Sequence, residues 1–447
     1  MINHFLDKFK LHHNKTFIIY NEISYEYDWL IKNIDLCHDL LKKNNILSGE
    51  VVSLNGDFTP RTISMLFALI INNNIIVPLD YHHINKNHNQ AILAGVEHSI
   101  SIDNLDNLTF TTNSIQFNHT FYTELRLKNH PGLVLFTSGT SGIPKAAVHD
   151  FTRLLKKFDE TKRQLRTINF LLFDHWGGLN TMFHTLSNGG VVIAIKDRRP
   201  QNVCLNIEKF KIELLPTSPT FLNLLLISEE YRNYDLSSLK LITYGSEPMP
   251  LSTLQRVQNI FPNIKLLQTY GLIELGVLNS KSRNENSLWV KVGGEGFETR
   301  VVNDMLEIKA YSAMLGYLNA KSPFTDDGWF MTGDQVEVDG EFIKILGRKS
   351  EIINVGGEKV YPAEVESVIH ELDNVAEVTV FGQKNQLLGN IVCAKVKLIK
   401  EEDIKLFTSR LKTHCRKKLQ NFKIPIKVYL VDETQITDRY KKKRTEL

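Results

Sequence analysis

From Gly132 to Gly271 short apolar runs alternate with amphipathic stretches, and this alternation limits the fold more than any other feature of the chain. "GLVLFTS" precedes "FTRLLKKF", "INFLLF" precedes "TMFHTLSN", and "GGVVIAI" and "IELLPTS" precede "PTFLNLLLI". "LKLITYGS" then leads to "LSTLQRVQNI" and "KLLQTYG". Strands that alternate with helices imply a largely parallel α/β sheet. Residues 1–130 follow the same rule, with "YEYDWLIKNIDLCHDLLKK" apolar at three- and four-residue spacing and strand-like runs in "EVVSLNG" and "NNIIVPLD". The character changes over 285–346, where "TRVVND", "MLEIKAY", "GDQVEVDG" and "EFIKILG" read as a small β-rich subdomain. After Gly347 comes a βαβ-like pattern ("PAEVESVIHEL", "VAEVTVFG", "IVCAKVKL", "IKLFTSRLKTHCRKKL"). It is long enough, at about 100 residues, to fold as a separate α+β unit. The expected architecture is α/β: a large N-terminal part over 1–346, built of several subdomains, and a small C-terminal domain over 347–447.

Composition excludes several classes. Of 447 residues, 42% are hydrophobic and 23% charged, as in ordinary globular proteins. No apolar run reaches the roughly 18 residues that span a bilayer, since "SMLFALIINNNIIVPL" is broken by asparagines. The opening "MINHFLDKFKLHHNK" is charged and does not read as a signal peptide. Four cysteines, Cys37, Cys204, Cys393 and Cys415, stand far apart without metal or redox spacing, and are expected to be free thiols in a reducing cytoplasm. A net charge of +3 gives no nucleic-acid footprint. The one dense basic cluster, "RYKKKR" at 439–444, reads on composition alone as a solvated tail.

The segment "LVLFTSGTSGIPKAAVHDF" stops an apolar strand with four hydroxyl residues and two glycines, then places Pro144 and Lys145. Glycines let a backbone approach a ligand closely, and exposed N–H groups, hydroxyls and a lysine suit a phosphate. The spacing is not that of a Walker loop, because no Ser or Thr follows Lys145. The bland alternative is a polar strand-to-helix turn. Other segments carry charge at strand ends: "YGLIEL" with Glu274, "GWFMTGD" with Asp334 expected in a tight turn, and "LGRKSEIINVGGEKVYPAEVE" with Arg348 and a glycine pair. Each has its own bland version, as a helix-start charge, a turn former or a hairpin.

Taken in order, these segments resemble the adenylate-forming superfamily of acyl-CoA synthetases, nonribosomal peptide synthetase adenylation domains and luciferases, and the resemblance covers nearly the whole chain. "TSGTSGIPKAAVH" is similar to the family's phosphate loop, and "FDHWGGLNTMFHTLSNGGVVI" to its acyl-pocket segment. "DLSSLKLITYGSEPMP" and "YGLIE" are similar to its adenine and magnesium segments. The resemblance implies that a carboxylic acid attacks the ATP α-phosphate, giving an acyl-adenylate and pyrophosphate, and that a thiol then displaces AMP. It implies ATP and Mg²⁺ as cofactors, with CoA or a phosphopantetheine as acceptor. Thr137, Ser138, Gly139, Thr140, Ser141, Gly142 and Lys145 would embrace the β- and γ-phosphates. Glu274 would hold Mg²⁺, a hard cation that favours oxygen. Asp334 would accept the ribose hydroxyls, Arg348 would sit at the domain junction, and Gly245, Ser246, Glu247, Tyr270 and Gly271 would border the nucleotide. "TDRYKKKR" aligns with the family's closing T-x-x-G-K-x-x-R pattern and puts Lys441 at the catalytic position, with Lys442 or Lys443 as neighbouring alternatives.

The chain departs from the family pattern at Tyr440 (usually Gly), Ile273 (usually Thr) and Ala146 (usually Gly), and is shorter between residues 80 and 130. The acid is bordered by His175 in one register and by Asp174, as partner of an amino group, in the other; Trp176, Gly178 and Tyr244 complete that expected pocket. The resemblance also implies a C-terminal domain that swings about Lys349–Ser350, and a thiol tunnel near Gly356 and Gly357. Expected partners are a carboxylic acid and either CoA or an acyl carrier protein, with the chain a monomer or homodimer. A catalytically degenerate ATP-binding protein is the alternative from another class.

Overall fold

The computed structural model describes residues 2–81, 84–113, 117–137, 144–284, 287–437 and 440–442, with backbone alone for 84–86. Four sheets organise the described residues. The first runs, in spatial order, Lys265–Gln268, Leu241–Tyr244, Leu214–Thr217, Arg166–Asn169, Val191–Ala194, Thr16–Tyr20 and Ile23–Glu26. Neighbours are parallel except the last pair. The second has a parallel centre of Gly132–Thr137, Ile75–Asp80, Val51–Gly56 and His98–Ile102, with antiparallel strands at both margins. The sheets are therefore mixed: the parallel centres are those the strand–helix alternation implies, and the edges are short hairpin partners.

Helices packed together in one core join the two sheets. The helix Pro60–Ile71, "PRTISMLFALII", is apolar nearly all round and accordingly buried along almost its whole length. It begins with Thr59 as N-cap and Pro60 in the first turn, a combination that satisfies the free amides and pre-sets φ. Phe67 from this helix meets Phe5 and Phe9 of Ile2–Leu11 and Phe183 of Trp176–Ser187, at centroid separations of 5.6, 5.2 and 5.6 Å. Aromatic contacts of this kind fix the helix Trp176–Ser187, whose first residues are candidate pocket residues, against the centre of the molecule.

The third sheet is the β-rich part, in which Phe297–Val302, Met305–Ala310, Phe330–Asp339, Phe342–Arg348, Trp289–Gly293, Gly276–Ser282 and Tyr270–Leu272 are all antiparallel neighbours. After Arg348 a single 3-10 turn, Lys349–Glu351, leads to the small C-terminal sheet. There Val375–Asn385 and Gly389–Leu398 form a long hairpin covered by Pro362–Ile369 and Ile404–Arg416, with Val365, Ile369, Val380, Val392, Phe407 and Leu411 in its own core. The large N-terminal and small C-terminal α/β division is the one the sequence implies.

Candidate active site

The strands Phe330–Asp339 and Phe342–Arg348 pair with Asp334 opposite Arg348. Asp334 lies inside a ten-residue strand and not in the tight turn that "GWFMTGD" suggests. Gly333 takes a left-handed φ of 75°, and the register shifts between Gln335 and Val336, so the chain bends locally while pairing continues. Asp334 is 6% exposed. Its Oδ2 accepts the Tyr270 hydroxyl at 2.5 Å, and Arg348 Nε lies 3.5 Å from Oδ1. Burial pushes the Asp334 carboxyl above the usual carboxylate range, against the opposing pull of Arg348 and Tyr270. Burial also works against the charge on Arg348, but Asp334 and Glu274 outweigh it and raise the guanidinium.

Glu274 occupies the turn between Tyr270–Leu272 and Gly276–Ser282. The Tyr317 hydroxyl donates to Glu274 Oε1 at 2.7 Å, and the Met314 N–H donates to the Glu274 carbonyl at 2.8 Å. Lys145 Nζ stands 5.3 Å from the Tyr317 ring centroid, within cation–π range. Tyr317 thus links the lysine after the phosphate-loop segment to the carboxylate. Asn319 reinforces the same corner: its Oδ1 accepts the Ala146 N–H at 3.0 Å and its Nδ2 donates to the Pro144 carbonyl at 2.9 Å. Neither Tyr317 nor Asn319 was singled out from sequence. "MLGYLNA" lies between two β-like segments and carries no charge, so only its aromatic and amide beside a glycine could have marked it.

Lys145 opens the strand Lys145–Asp150, which pairs antiparallel with Gly132–Thr137, and Thr137 is opposite Lys145. The two strands are therefore the arms of a hairpin, which does not fit the bland alternative of a strand-to-helix turn. The register brings Thr137 and Lys145 side by side. Ser138, Gly139, Thr140, Ser141 and Gly142 lie outside the described residues.

The residues present fit a nucleotide with a hard cation. Asp334 and Glu274 are held at one corner by neutral phenol donors and one guanidinium, which leaves each carboxylate further acceptor capacity. Among the described residues no group of three or more metal-ligating side chains exists. Mg²⁺ is commonly held through one or two carboxylates together with substrate phosphates, and Glu274 and Asp334 are carboxylates of that kind.

A second group gathers at the carboxyl ends of the first sheet, where parallel sheets collect ligands. Gly245, Ser246 and Glu247 follow the strand Leu241–Tyr244, with Ser246 at a left-handed φ of 72°. The Glu247 carboxylate accepts the Thr220 N–H at 2.9 Å and the Thr220 hydroxyl as well, which ties this loop to the start of the helix Pro219–Ser228. Tyr244 is buried in the apolar core beneath. Gly271 sits in the strand Tyr270–Leu272 opposite Val277.

The candidate acid-binding residues head the helix Trp176–Ser187. His175 is its N-cap, and Nδ1 accepts the Gly177 N–H at 3.1 Å. Asp174 is buried beside it. Trp176 is 1% exposed and packs edge-to-face on Phe151 at 6.4 Å, so it belongs to the core, with its indole edge towards Gly276. Gly178 is required by packing: a Cβ there would stand 2.1 Å from the Leu172 carbonyl oxygen.

The C-terminal segment reaches the same edge of the first sheet. Ile436 and Lys442 form an antiparallel bridge, and the Thr437 N–H donates to the Lys441 carbonyl at 2.8 Å. The Lys441 N–H returns a bond to the Thr437 hydroxyl at 3.2 Å. Lys442 is directed elsewhere, since its Nζ forms a 2.8 Å ion pair with the buried Glu366. Lys443 lies outside the described residues. Lys349 and Ser350 are exposed in the single turn that joins the two domains. Gly356 and Gly357 form the exposed tip of the hairpin Ile353–Val355/Glu358–Val360, with φ of 58° and 92°.

Residues 5–308 match the family described as AMP-binding enzyme, and residues 364–441 match the AMP-binding enzyme C-terminal domain. The chain belongs to this family. An indoleacetate–CoA ligase of Aromatoleum aromaticum is 28% identical over 330 residues, 68% of this chain and 64% of that protein. The mitochondrial medium-chain acyl-CoA ligase ACSF2 of Bos taurus is 26% identical over 338 residues, 68% of this chain and 55% of that protein. The matched region thus spans roughly three fifths of the length of these curated relatives. Among solved structures, the anthranilate CoA ligase AuaEII in complex with anthranoyl-AMP superposes with a TM-score of 0.84 at 18% identity, covering 99% of this chain and 95% of that one. The o-succinylbenzoate CoA synthetase MenE from Bacillus subtilis gives 0.79 at 20% identity, covering 99% and 97%. These two likenesses are of fold.

Proposed function

We propose that the chain activates a carboxylic acid with ATP and Mg²⁺ to an acyl-adenylate, and passes the acyl group to the thiol of CoA. The observation that carries this is a polar cluster, Lys145–Tyr317–Glu274 and Arg348–Asp334–Tyr270, in which Arg348 feels the charge of both carboxylates. In the first step a carboxylate oxygen bonds to the α-phosphorus and the bond to pyrophosphate breaks. Negative charge crowds at both ends of that bond, so positioning and fixed cations do most of the work. Lys145, with the loop from Thr137, takes the pyrophosphate end. Lys441 bridges the acid and the α-phosphate. Glu274, held by Tyr317, would hold Mg²⁺, which would supply charge neutralisation for the phosphates. Asp334 accepts the ribose hydroxyls, and Gly245, Ser246 and Glu247 flank the base. His175 borders the acid. In the second step the sulfur attacks the acyl carbon, AMP leaves, and the thiol proton passes to solvent.

Division of labour between a core of 1–346 and a mobile unit of 347–447, hinged at Lys349–Ser350, separates the two steps, because a hydrolysable adenylate must be shielded before the thiol reaches it. The Gly356–Gly357 tip then lines the thiol path. Four buried free cysteines accord with a reducing, cytoplasmic setting. The test is pyrophosphate release from ATP·Mg²⁺ across short, long, aryl, hydroxy and amino acids, followed by thioester formation with CoA. Release that requires one acid and falls by at least about 10²-fold in Lys441→Ala is the expected outcome, the usual scale for losing a group that stabilises developing charge. Bound ATP without release under any acid overturns it.

A further inference from the structure

Tyr440 holds a backbone conformation that favours glycine, with φ of 51°, and a non-glycine residue there is strained unless its surroundings hold it. Its surroundings do so from four directions. The ring lies 5.2 Å from that of Phe170 and 5.5 Å from that of Phe221, the second contact edge-to-face at 87°. Its hydroxyl donates to the Arg198 carbonyl at 2.8 Å. Its own carbonyl accepts the Ser218 hydroxyl at 2.8 Å, while Ser218 Oγ also caps the helix Pro219–Ser228. Its N–H donates to the Thr437 carbonyl at 2.8 Å, closing the turn from within.

The slot is itself rigid. Phe170 follows the strand Arg166–Asn169, Phe221 is in the first turn of a capped helix, and Phe170 and Phe221 already touch at 4.5 Å. Arg198, whose carbonyl receives the phenol, is braced by its own Nε on the Phe170 carbonyl at 2.7 Å. All these partners belong to the large domain, whereas Lys442, two residues on, is paired with Glu366 of the small one. The turn that carries Lys441 is thus pinned on one side to each domain, and Tyr440 is the pin on the large one.

We propose that Tyr440 is a positioning residue for Lys441: its ring, seated between Phe170 and Phe221 with the phenol on Arg198, latches the turn over the carboxyl edge of the first sheet. A glycine at this position reaches the same φ without strain but brings no such anchor. The latch favours the domain arrangement that forms the adenylate and resists its release. It acts through the turn, so its effect divides the two half-reactions. This rests on the proposed function and on the hinge at Lys349–Ser350.

Three variants decide it: Tyr440→Gly, Tyr440→Phe and Tyr440→Ala. Without any substrate, hydrogen exchange is followed for the amides of Thr437, Tyr440 and Lys441. In Tyr440→Gly and Tyr440→Ala these amides are expected to exchange at least about tenfold faster, with Tyr440→Phe close to wild type because the ring stays seated. With an active acid, single-turnover pyrophosphate release is expected to slow about tenfold or more in Tyr440→Gly, while thioester formation from added acyl-adenylate and CoA is unchanged or faster. Exchange unchanged in Tyr440→Ala, or equal loss in both half-reactions, overturns the latch. A panel in which no acid supports release overturns the function and leaves the exchange measurement to judge the latch separately.

Discussion

Replacing Tyr317 by Phe removes one oxygen and leaves the ring on which Lys145 rests. That oxygen donates to Glu274 Oε1 at 2.7 Å from a buried position, so water does not readily take its place. A hydrogen bond to a charged group is worth about 1.5–3 kcal/mol, which at 1.36 kcal/mol per decade is roughly 10- to 150-fold. Partners that orient a metal-ligating carboxylate are commonly worth 10–100-fold in metal affinity or activity, and the two ranges agree. Tyr317→Phe should therefore raise the Mg²⁺ concentration needed for half-maximal pyrophosphate release by about 10- to 100-fold. AMP affinity should stay within about threefold, because the Tyr270–Asp334 bond is untouched.

The assay is a Mg²⁺ titration of pyrophosphate release at saturating ATP and acid, with AMP binding measured by calorimetry alongside. A double-mutant cycle sharpens it. If Tyr317 acts through Glu274, adding Tyr317→Phe to Glu274→Gln costs less than about threefold, since the acceptor it serves has already changed. A Mg²⁺ midpoint unmoved in Tyr317→Phe, or full additivity in the double variant, refutes the assignment of Glu274 as the cation ligand oriented by Tyr317.

The remaining predictions concern Asp334 and acid stability. Asp334→Asn should weaken AMP binding at least about tenfold, since one charge-assisted hydrogen bond alone is worth roughly that, and calorimetry showing equal affinity would exclude Asp334 from the ribose. Burial lowers His370 to about 3, and His149 and His184 to about 4, from an ordinary value of 6.5. Their folded forms stay neutral while the unfolded chain takes up protons below 6.5. The stability they contribute is complete above that pH and is lost as pH falls towards 4. At pH 5.5 each histidine costs about 1.4 kcal/mol, about 4 kcal/mol together. Urea unfolding should show that loss between pH 7.5 and 5.5, and a flat profile would mean that the three rings are not kept neutral by burial.

The parts of the site that could be found from sequence are those whose chemistry belongs to a single residue type. Glu274, Asp334, Arg348 and Lys145 carry charge beside apolar runs of sequence, and a charge there is conspicuous whatever it touches. The strand–helix alternation is similarly local, and the parallel centres of two sheets follow from it. What escaped depends on which segments the fold brings together. Asp334 sits in mid-strand because Gly333 and the bulge at Gln335–Val336 let pairing with Phe342–Arg348 continue, and nothing before that strand announces its partner. "KAAVHD" pairs back on "GLVLFT" as the second arm of a hairpin, although a short helix follows it directly. Tyr317 is an uncharged residue in a two-residue strand, and matters only because the chain brings it between Lys145 and Glu274. Tyr440 is the sharpest instance. In the sequence it is a missing glycine and weakens the case for a working loop. In the fold its left-handed backbone is retained, and the ring that makes glycine's freedom unavailable meets Phe170, Phe221 and Arg198. A local rule was broken where a long-range contact compensates, and such a compensation is visible only once the partners are in place.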